Sequence, residues 1–234
     1  MKQRLIEIEN LRFGWPDAPA PLLACESFNL ERGEHLFIRG PSGSGKSTLL
    51  GLLTGILTPQ SGQLRLMQHS MTEVSAQGRD RLRADYIGYI FQQFNLVPYL
   101  DLAENVVLPC RFSPRRLANA EASHGSVIAA AEYLLGQLFT DQELDTQAPV
   151  AKLSVGQQQR VAAARALIGN PDIVIADEPT SSLDFEARER FMELLFEQVE
   201  NTDATLVFVS HDPTLGKNFK REVQIDEFRA VAAA

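Results

Sequence analysis

The chain has 234 residues, of which 44% are hydrophobic and 22% are charged. These proportions are typical of a folded globular protein and exclude the low-hydrophobicity, high-charge composition of disordered chains. Acidic residues outnumber basic ones by 30 to 22, so the formal net charge is −8 and nucleic acid is disfavoured as the main partner. Apolar runs are far shorter than the about 20 residues that a membrane-spanning helix needs.

The first residues, 1–9, alternate charged and aliphatic side chains and predict a strand. They lack the continuous apolar stretch of a secretory signal. The two cysteines, Cys25 and Cys110, form neither a C-x-x-C pair nor a cluster with histidines at metal-ligand spacing. This pattern indicates reduced structural thiols in a cytosolic protein.

Three apolar segments have the composition of buried strands: residues 35–39, 172–176 and 205–210. Helical patterns separate them along the chain. Strands that alternate with helices predict a parallel α/β sheet, and such sheets bind ligands beyond the carboxyl ends of their strands.

A glycine-rich segment directly follows the first of these strands and matches G-x-x-x-x-G-K-[ST] at every fixed position. Its glycines allow backbone N–H groups to hold a phosphate, and the following helix, predicted over residues 47–57, adds the positive end of its dipole. The lysine supplies a cation for the β- and γ-phosphates, and the next serine offers a hydroxyl to Mg²⁺. The predicted nucleotide-binding residues are Gly40, Pro41, Ser42, Gly43, Ser44, Gly45, Lys46, Ser47 and Thr48.

The middle of the chain, residues 79–153, largely lacks the strand pattern. Apolar residues at helical spacing over 127–138 instead predict a helix, and the whole segment is interpreted as a helical lobe inserted into the α/β core. Residues 112–126 are polar and are expected to form a flexible surface stretch.

A capped helix is predicted after the lobe. Ser154 and Gln157 have the spacing of a capping box, and Gly169 and Pro171 are typical stop signals. The N-terminus of this helix is a further candidate anion site.

Two carboxylates follow the strand at 172–176. Asp177 is expected to hold Mg²⁺ through water, and Glu178 is expected to act as the general base that activates the attacking water.

These segments resemble the ATP-binding cassette (ABC) ATPases that drive membrane transporters, and the resemblance covers nearly the whole chain in family order. Residues 40–48 are similar to Walker A, 91–93 to the Q-loop, 153–157 to the LSGGQ signature, 173–178 to Walker B, 181–184 to the D-loop, and 210–212 to the switch histidine. Val155 stands where the signature usually has its first glycine. We expect this change to be tolerated because Ser154 and Gly156 are retained.

The resemblance implies an α/β fold: a P-loop NTPase core with a parallel sheet, an N-terminal antiparallel β part and an inserted α-helical lobe. It implies a single ABC ATPase domain over residues 1–234. The core would comprise about 1–78 and 154–234, and the helical subdomain about 79–153.

The resemblance also implies the roles of individual residues, with ATP and Mg²⁺ as cofactors. The implied catalytic residues are Glu178, His211 and Gln92, and the implied metal ligands are Ser47, Gln92 and Asp177. Trp15 would stack on adenine, with Phe13 as the second candidate. The remaining nucleotide contacts would come from Ser154, Gly156, Gln157 and Asp184.

In this family two cassettes face each other head to tail, so the resemblance implies a homodimer that ATP closes and hydrolysis reopens. Integral membrane permease subunits are the implied partners, and they would contact the chain near residues 91–109. The chain would then be cytoplasmic and peripheral on the inner (plasma) membrane. The sequence around 91–98 and 104–109 is most similar to the lipoprotein-release and macrolide-export branch.

Several alternatives remain open from the sequence. Polar amino-acid importers carry a similar first half of this segment, and a cassette that regulates a non-transporting membrane complex would have the same motifs. A soluble cassette acting in DNA repair or on ribosomes is disfavoured because such proteins usually carry a long coiled-coil insert or tandem cassettes. A P-loop GTPase or kinase is disfavoured because the chain has no N-K-x-D motif.

Overall fold

The computed structural model describes residues 3–16, 20–139 and 145–229. The chain divides into two compact units: the first comprises Met1–Arg83 and Val207–Ala234, and the second comprises Ala84–Leu206. Among the helices in the described ranges, none combines the length and the hydropathy that crossing a membrane requires.

Strands and helices alternate along most of the chain. In chain order they are β1 (Arg4–Phe13), β2 (Leu23–Glu31), β3 (Leu36–Arg39), α1 (Lys46–Leu53), β4 (Ser61–Leu66), β5 (His69–Ser70), α2 (Ala76–Tyr86), β6 (Ile87–Ile90), α3 (Leu102–Phe112), α4 (Pro114–His124), α5 (Val127–Leu138), α6 (Val155–Leu167), β7 (Ile173–Asp177), α7 (Phe185–Asn201), β8 (Thr205–Ser210) and β9 (Arg221–Gln224).

An antiparallel sheet in the first unit contains β1 between β2 and β4, with β5 at the edge beside β4. Ile8 of β1 is paired with Phe28 on one side and with Leu64 on the other. The predicted N-terminal strand is therefore present, and it buries its aliphatic side chains while Glu9 stays exposed. This sheet confirms the antiparallel β part of the expected fold.

Parallel strands in the first unit place the glycine-rich loop. β3 pairs in parallel with β8, from Leu36 and Val207 onward, and with β9 on its other side. Leu36, Phe37 and Ile38 are all buried, as expected of a strand covered on both faces. The loop thus starts at the carboxyl end of a strand, as the sequence predicted, and the structure shows that this strand is flanked on both sides.

Helix α1 ends four residues earlier than predicted, at Leu53 rather than Leu57. Gly55 adopts a left-handed conformation with φ of 69°, and a Cβ there would lie 2.3 Å from Met71 Cε. The chain turns sharply at this close contact, which the sequence pattern did not reveal.

The second unit contains a parallel pair, β6 and β7, in which Tyr89 is opposite Ile175. Strand β6 lies inside the segment expected to be helical, so the strand pattern continues past residue 79. It is only four residues long and includes Gly88, at which a Cβ would lie 2.1 Å from the Ala166 carbonyl oxygen. A short strand that contains a glycine produces a weak sequence signal.

The prediction of a flexible surface segment over residues 112–126 is wrong. Helix α4 occupies most of this stretch. The Ser113 side chain accepts a hydrogen bond from the Arg116 backbone N–H, Pro114 is in the first turn, and Gly125 ends the helix with φ of 79°. These are ordinary start and stop signals that the polar composition obscured. Helix α5 matches the predicted helix over 127–138.

Helix α6 packs against α3 and α5 and is almost entirely buried after its first turn. Its C-terminal carbonyl groups face Arg116 of α4, a side chain that is 2% exposed. Arg116 Nε donates to the Ile168 carbonyl oxygen at 2.7 Å, and Nη2 donates to that of Ala166 at 2.7 Å. Burial lowers the pKa of Arg116 to about 10, so the guanidinium remains charged at neutral pH and needs these acceptors.

Both cysteines are buried, Cys25 in β2 and Cys110 in α3, and neither forms a disulfide. Burial raises the pKa of each thiol.

Replacing Arg116 by alanine is expected to lower the free energy of unfolding by about 3 to 5 kcal/mol, because the change leaves a cavity and unpaired carbonyl groups at the end of α6. Urea denaturation followed by circular dichroism measures the loss. The control is Arg111→Ala, an exposed position in α3, which should change the stability by less than about 0.5 kcal/mol. Equal effects of the two substitutions would contradict a structural role for the Arg116 contacts.

Candidate functional site

The glycine-rich loop runs from the end of β3 to the start of α1. Gly43 and Gly45 have φ of 76° and 103°, a region that residues with a Cβ rarely adopt. At Gly40 an added Cβ would lie 2.3 Å from Ile225 Cγ2 and 2.9 Å from Ser44 Oγ. The glycines are therefore required by the backbone path, which gives the open concave loop that a phosphate needs.

Lys46 is the first residue of α1 and is 7% exposed. Its Nζ donates to the carbonyl oxygens of Gly40 at 2.8 Å and Pro41 at 3.0 Å, so the ammonium group lies within the loop. Ser44 Oγ donates to the Pro41 oxygen at 2.7 Å, while Ser47 is exposed. A cation and a helix N-terminus thus come together in the manner typical of an anion site.

Three further candidate residues lie in the same unit as the loop. Trp15 is 48% exposed and contacts Phe13 edge to face, with ring centroids 5.3 Å apart. Phe13 itself is 6% exposed, so its ring faces are covered. His211 is exposed and directly follows β8. The exposure favours Trp15 over Phe13 as a stacking surface.

The acidic pair lies at the end of β7 in the second unit. Asp177 accepts a hydrogen bond from the Tyr89 hydroxyl at 3.3 Å. Burial, and then the charge of Asp177, raise the pKa of Tyr89, so the phenol stays protonated and can donate. Tyr89 lies on the neighbouring strand β6, and no local sequence signal had pointed to it.

Glu178 is 7% exposed and has a φ of 48°, which is unusual for a residue with a side chain. Such a conformation costs about 1 to 3 kcal/mol and persists only where the surrounding structure enforces it. The residue expected to act as the base is thus one of the strained positions of the described chain.

The predicted capping box at the start of α6 is present. The Gln157 backbone N–H donates to Ser154 Oγ at 3.3 Å, and the Ser154 N–H donates to Gln157 Oε1 at 2.9 Å. Ser154 and Val155 are exposed, so the helix presents its N-terminus at the surface of the unit.

Gly156 has room for a side chain. An added Cβ would meet Leu183 Cδ2 at 3.9 Å, an ordinary van der Waals distance, and none of the described residues would come closer. A glycine in a helix costs about 1 kcal/mol relative to alanine. The packing within the described part of the chain therefore does not explain why this position is a glycine.

The other predicted residues of this unit lie in loops and caps. Gln92 is exposed just after β6, and Asp184 is the N-cap of α7, where its side chain accepts a hydrogen bond from the Ala187 N–H at 2.8 Å. The capping role of Asp184 was not predicted. The described residues contain no group of three or more His, Cys, Asp or Glu side chains able to hold a metal ion by themselves.

Comparisons with known proteins give one family. The family model "ABC transporter" matches residues 24–181. The uncharacterized ABC transporter ATP-binding protein YbbA of Escherichia coli (strain K12) is 37% identical over 94% of this chain and 93% of its own length. The macrolide export ATP-binding/permease protein MacB of Campylobacter jejuni is 36% identical over 88% of this chain but only 31% of its own length.

A solved structure agrees with this result. The ATP-binding cassette MJ0796, from Methanocaldococcus jannaschii, was solved as a dimer in a post-hydrolysis state bound to ADP and Pi. It superposes with a TM-score of 0.79 and 33% sequence identity, and the match covers 96% of this chain and 94% of that one. The fold, the phosphate loop and the sequence matches therefore agree that the chain belongs to the ABC transporter family, as an ATP-binding subunit that hydrolyses ATP.

Proposed function

We propose that the chain works as a head-to-tail homodimer in which ATP binding closes the two copies and hydrolysis reopens them, driving integral membrane permease subunits. The observation that carries the proposal is the start of α6, where an exposed Ser154 and an unexplained Gly156 accompany a helix N-terminus. A glycine that the chain itself does not need is well suited to close approach by a second molecule. The dimeric structures of MJ0796 support the same reading.

The phosphate loop would bind the triphosphate of ATP through its backbone N–H groups and Lys46, and Trp15 would stack on the base. In the dimer, Ser154, Gly156 and Gln157 of one copy would face the γ-phosphate held by the other copy. The helix N-terminus favours that negative charge, and loss of the γ-phosphate removes the contact.

Mg²⁺ is the proposed companion of ATP, held by Ser47, Gln92 and Asp177. These side chains would offer it a hydroxyl, an amide and a carboxylate oxygen, the hard donors that Mg²⁺ prefers. When bound, Mg²⁺ would neutralise charge on the phosphates.

Hydrolysis is assigned to Glu178 as the general base that takes a proton from the attacking water. Gln92 would report the nucleotide to the helical part of the chain, His211 would contact the γ-phosphate, and Asp184 would couple the two sites of the dimer. The strained backbone at Glu178 supports its role, because strain of this kind is concentrated at functional positions.

The proposed contact with the permease subunits is the segment 91–109, and the proposed location, reached through those subunits, is the cytoplasmic face of the inner membrane. Tyr99 in this segment is 86% exposed, a large aromatic surface available to a partner. Asn105 is fully buried and accepts a hydrogen bond from the Val97 N–H at 2.7 Å, which holds the segment in place. The similarity to MacB, whose name joins export to an ATP-binding part and a permease, favours an export role. Lipoprotein or lipid extraction remains the other form of the proposal, on the sequence resemblance alone.

Replacing Glu178 by glutamine is expected to leave ATP binding intact and to slow hydrolysis by about a hundredfold or more, the scale of removing a positioned base. The amide has the shape of the carboxylate but cannot take the proton. Phosphate release measures turnover and nucleotide titration measures binding. Near wild-type turnover would assign the base to another residue.

Ser154→Arg is expected to abolish ATP-dependent dimerisation while ATP still binds to the phosphate loop. The test uses the Glu178→Gln background, where slow hydrolysis allows an ATP-bound dimer to accumulate, and analytical ultracentrifugation with and without ATP detects it. A bulky cation at the start of α6 would obstruct the approach of the second copy.

The matched control is Ser126→Arg. Ser126 is also an exposed N-cap, which accepts a hydrogen bond from the Ala129 N–H at 3.1 Å, so both changes remove a cap worth about 1 kcal/mol. Only the change at α6 should prevent association. A normal ATP-dependent dimer of the Ser154 variant would refute the composite site.

Trp15→Ala is expected to weaken ATP binding by about 1 to 3 kcal/mol, as for other contacts between a base and an aromatic ring. In the unsubstituted chain, ATP should quench or shift the emission of this single tryptophan. Tyr99→Ala, which removes a more exposed aromatic ring from a different segment, should leave the affinity unchanged. An unaltered spectrum at saturating ATP would rule out stacking on Trp15.

A further inference from the structure

Besides Arg116 of α4, a second arginine of this unit has a buried guanidinium group. It is Arg165 of α6, which is 8% exposed. Its Nη1 donates to the carbonyl oxygen of Asn95 at 2.7 Å, and its Nη2 donates to that of Phe94. These two carbonyls belong to the turn that begins two residues after Gln92. A side chain of the signature helix thus bonds directly to the backbone next to the proposed nucleotide sensor.

The turn that Arg165 contacts has an unusual backbone. Phe94 and Asn95 are consecutive left-handed residues with φ of 58° and 48°, and the Asn95 N–H donates to the Gln93 carbonyl oxygen at 2.6 Å. Two successive left-handed residues other than glycine persist only when surrounding contacts enforce them. The charged fork of Arg165 donates to both carbonyl oxygens in this arrangement and so stabilises it.

A second buried side chain fixes the far end of the same segment. Asn105 of α3 donates to the carbonyl oxygens of Val97 at 3.1 Å and Leu100 at 3.2 Å. The segment after Gln92 is therefore anchored to α6 at one end and to α3 at the other. Gln92 itself is exposed and lies directly before this anchored segment.

We propose that Arg165 is a positioning residue that fixes the Gln92 segment to the signature helix, so that Gln92 and Ser154 move together as one body. Ser154, the N-cap of α6, and Arg165, within the same helix, are 11 residues and about 17 Å apart. A nucleotide contact at Gln92 would then be transmitted to the N-terminus that meets the second copy. This inference rests on the proposed function and adds the mechanical link within it.

A double-mutant cycle in ATP hydrolysis tests the link. Arg165→Lys keeps the charge but removes the fork, so kcat should fall about tenfold in the otherwise unchanged chain while KM for ATP stays the same. In the Gln92→Ala background the same change should alter kcat by less than about twofold, because its effect passes through Gln92. Additive effects of the two substitutions would overturn the inference.

Arg116→Lys is the matched control. Arg116 is also a buried arginine of the second unit that donates to backbone carbonyls, but its acceptors are Ala166 and Ile168 rather than the turn after Gln92. Its effect on kcat should be the same, within about twofold, with and without Gln92. Coupling of equal size for both arginines would indicate general loosening of the unit and overturn the specific role of Arg165.

A second pair of variants decides the matter if the arginine change prevents folding. Asn95 is exposed, so its side chain can be exchanged without disturbing a core. Asn95→Gly retains the left-handed turn and should keep kcat, whereas Asn95→Val disfavours it and should lower kcat about tenfold, again only when Gln92 is present. Hydrogen exchange should show faster opening over 93–97 in the valine variant alone. Equal kcat for the two variants would overturn the inference.

Failure of the proposed function would give a different experimental result from failure of this inference. If neither Gln92→Ala nor Ser154→Arg changes hydrolysis, the composite site is wrong and this inference is wrong with it. If both changes impair hydrolysis but the cycle with Arg165 is additive, the proposed function stands and only the link is refuted.

Discussion

Backbone carbonyl groups inside the second unit need donors, and two guanidinium groups supply them. Arg116 bonds to the carbonyls at the end of α6, and Arg165 bonds to those of the turn after Gln92. Burying a carbonyl group without a donor costs folding free energy, and so does burying a charge without acceptors. The hydrogen bonds between them remove both costs. The result is a helix fixed at its C-terminal end and along its flank, with its N-terminal end exposed for an external contact.

The sequence predicted those parts of the site whose signals are local. The phosphate loop, the Ser154–Gln157 cap and the strand before Asp177 each depend on residues close together in the chain. Glycine, capping serine and β-branched runs specify such features through their own backbone preferences. The structure and the comparisons confirm the fold class for the same reason, since the motifs occur in the order that the fold requires.

The features that were missed depend on contacts between distant residues. Strand β6 is too short to show a pattern, and Gly88 is required only because the Ala166 carbonyl lies against it. Tyr89 meets Asp177 across 88 positions, and Arg116 meets Ile168 across 52. In sequence alone, Arg115 and Arg116 indicate a solvated surface, whereas one of them is fully enclosed. Composition cannot distinguish a buried arginine with carbonyl acceptors from an exposed one.

The two cysteines have a practical consequence. Thiol reagents attack the thiolate, and both Cys25 and Cys110 are buried with a pKa raised by that burial, so little thiolate is accessible at neutral pH. A cysteine introduced at an exposed position such as Tyr99 or Val155 would react far faster than either native thiol. Spin labels or fluorophores can therefore be attached at single chosen sites without first removing the native cysteines, which keeps the natural packing of β2 and α3.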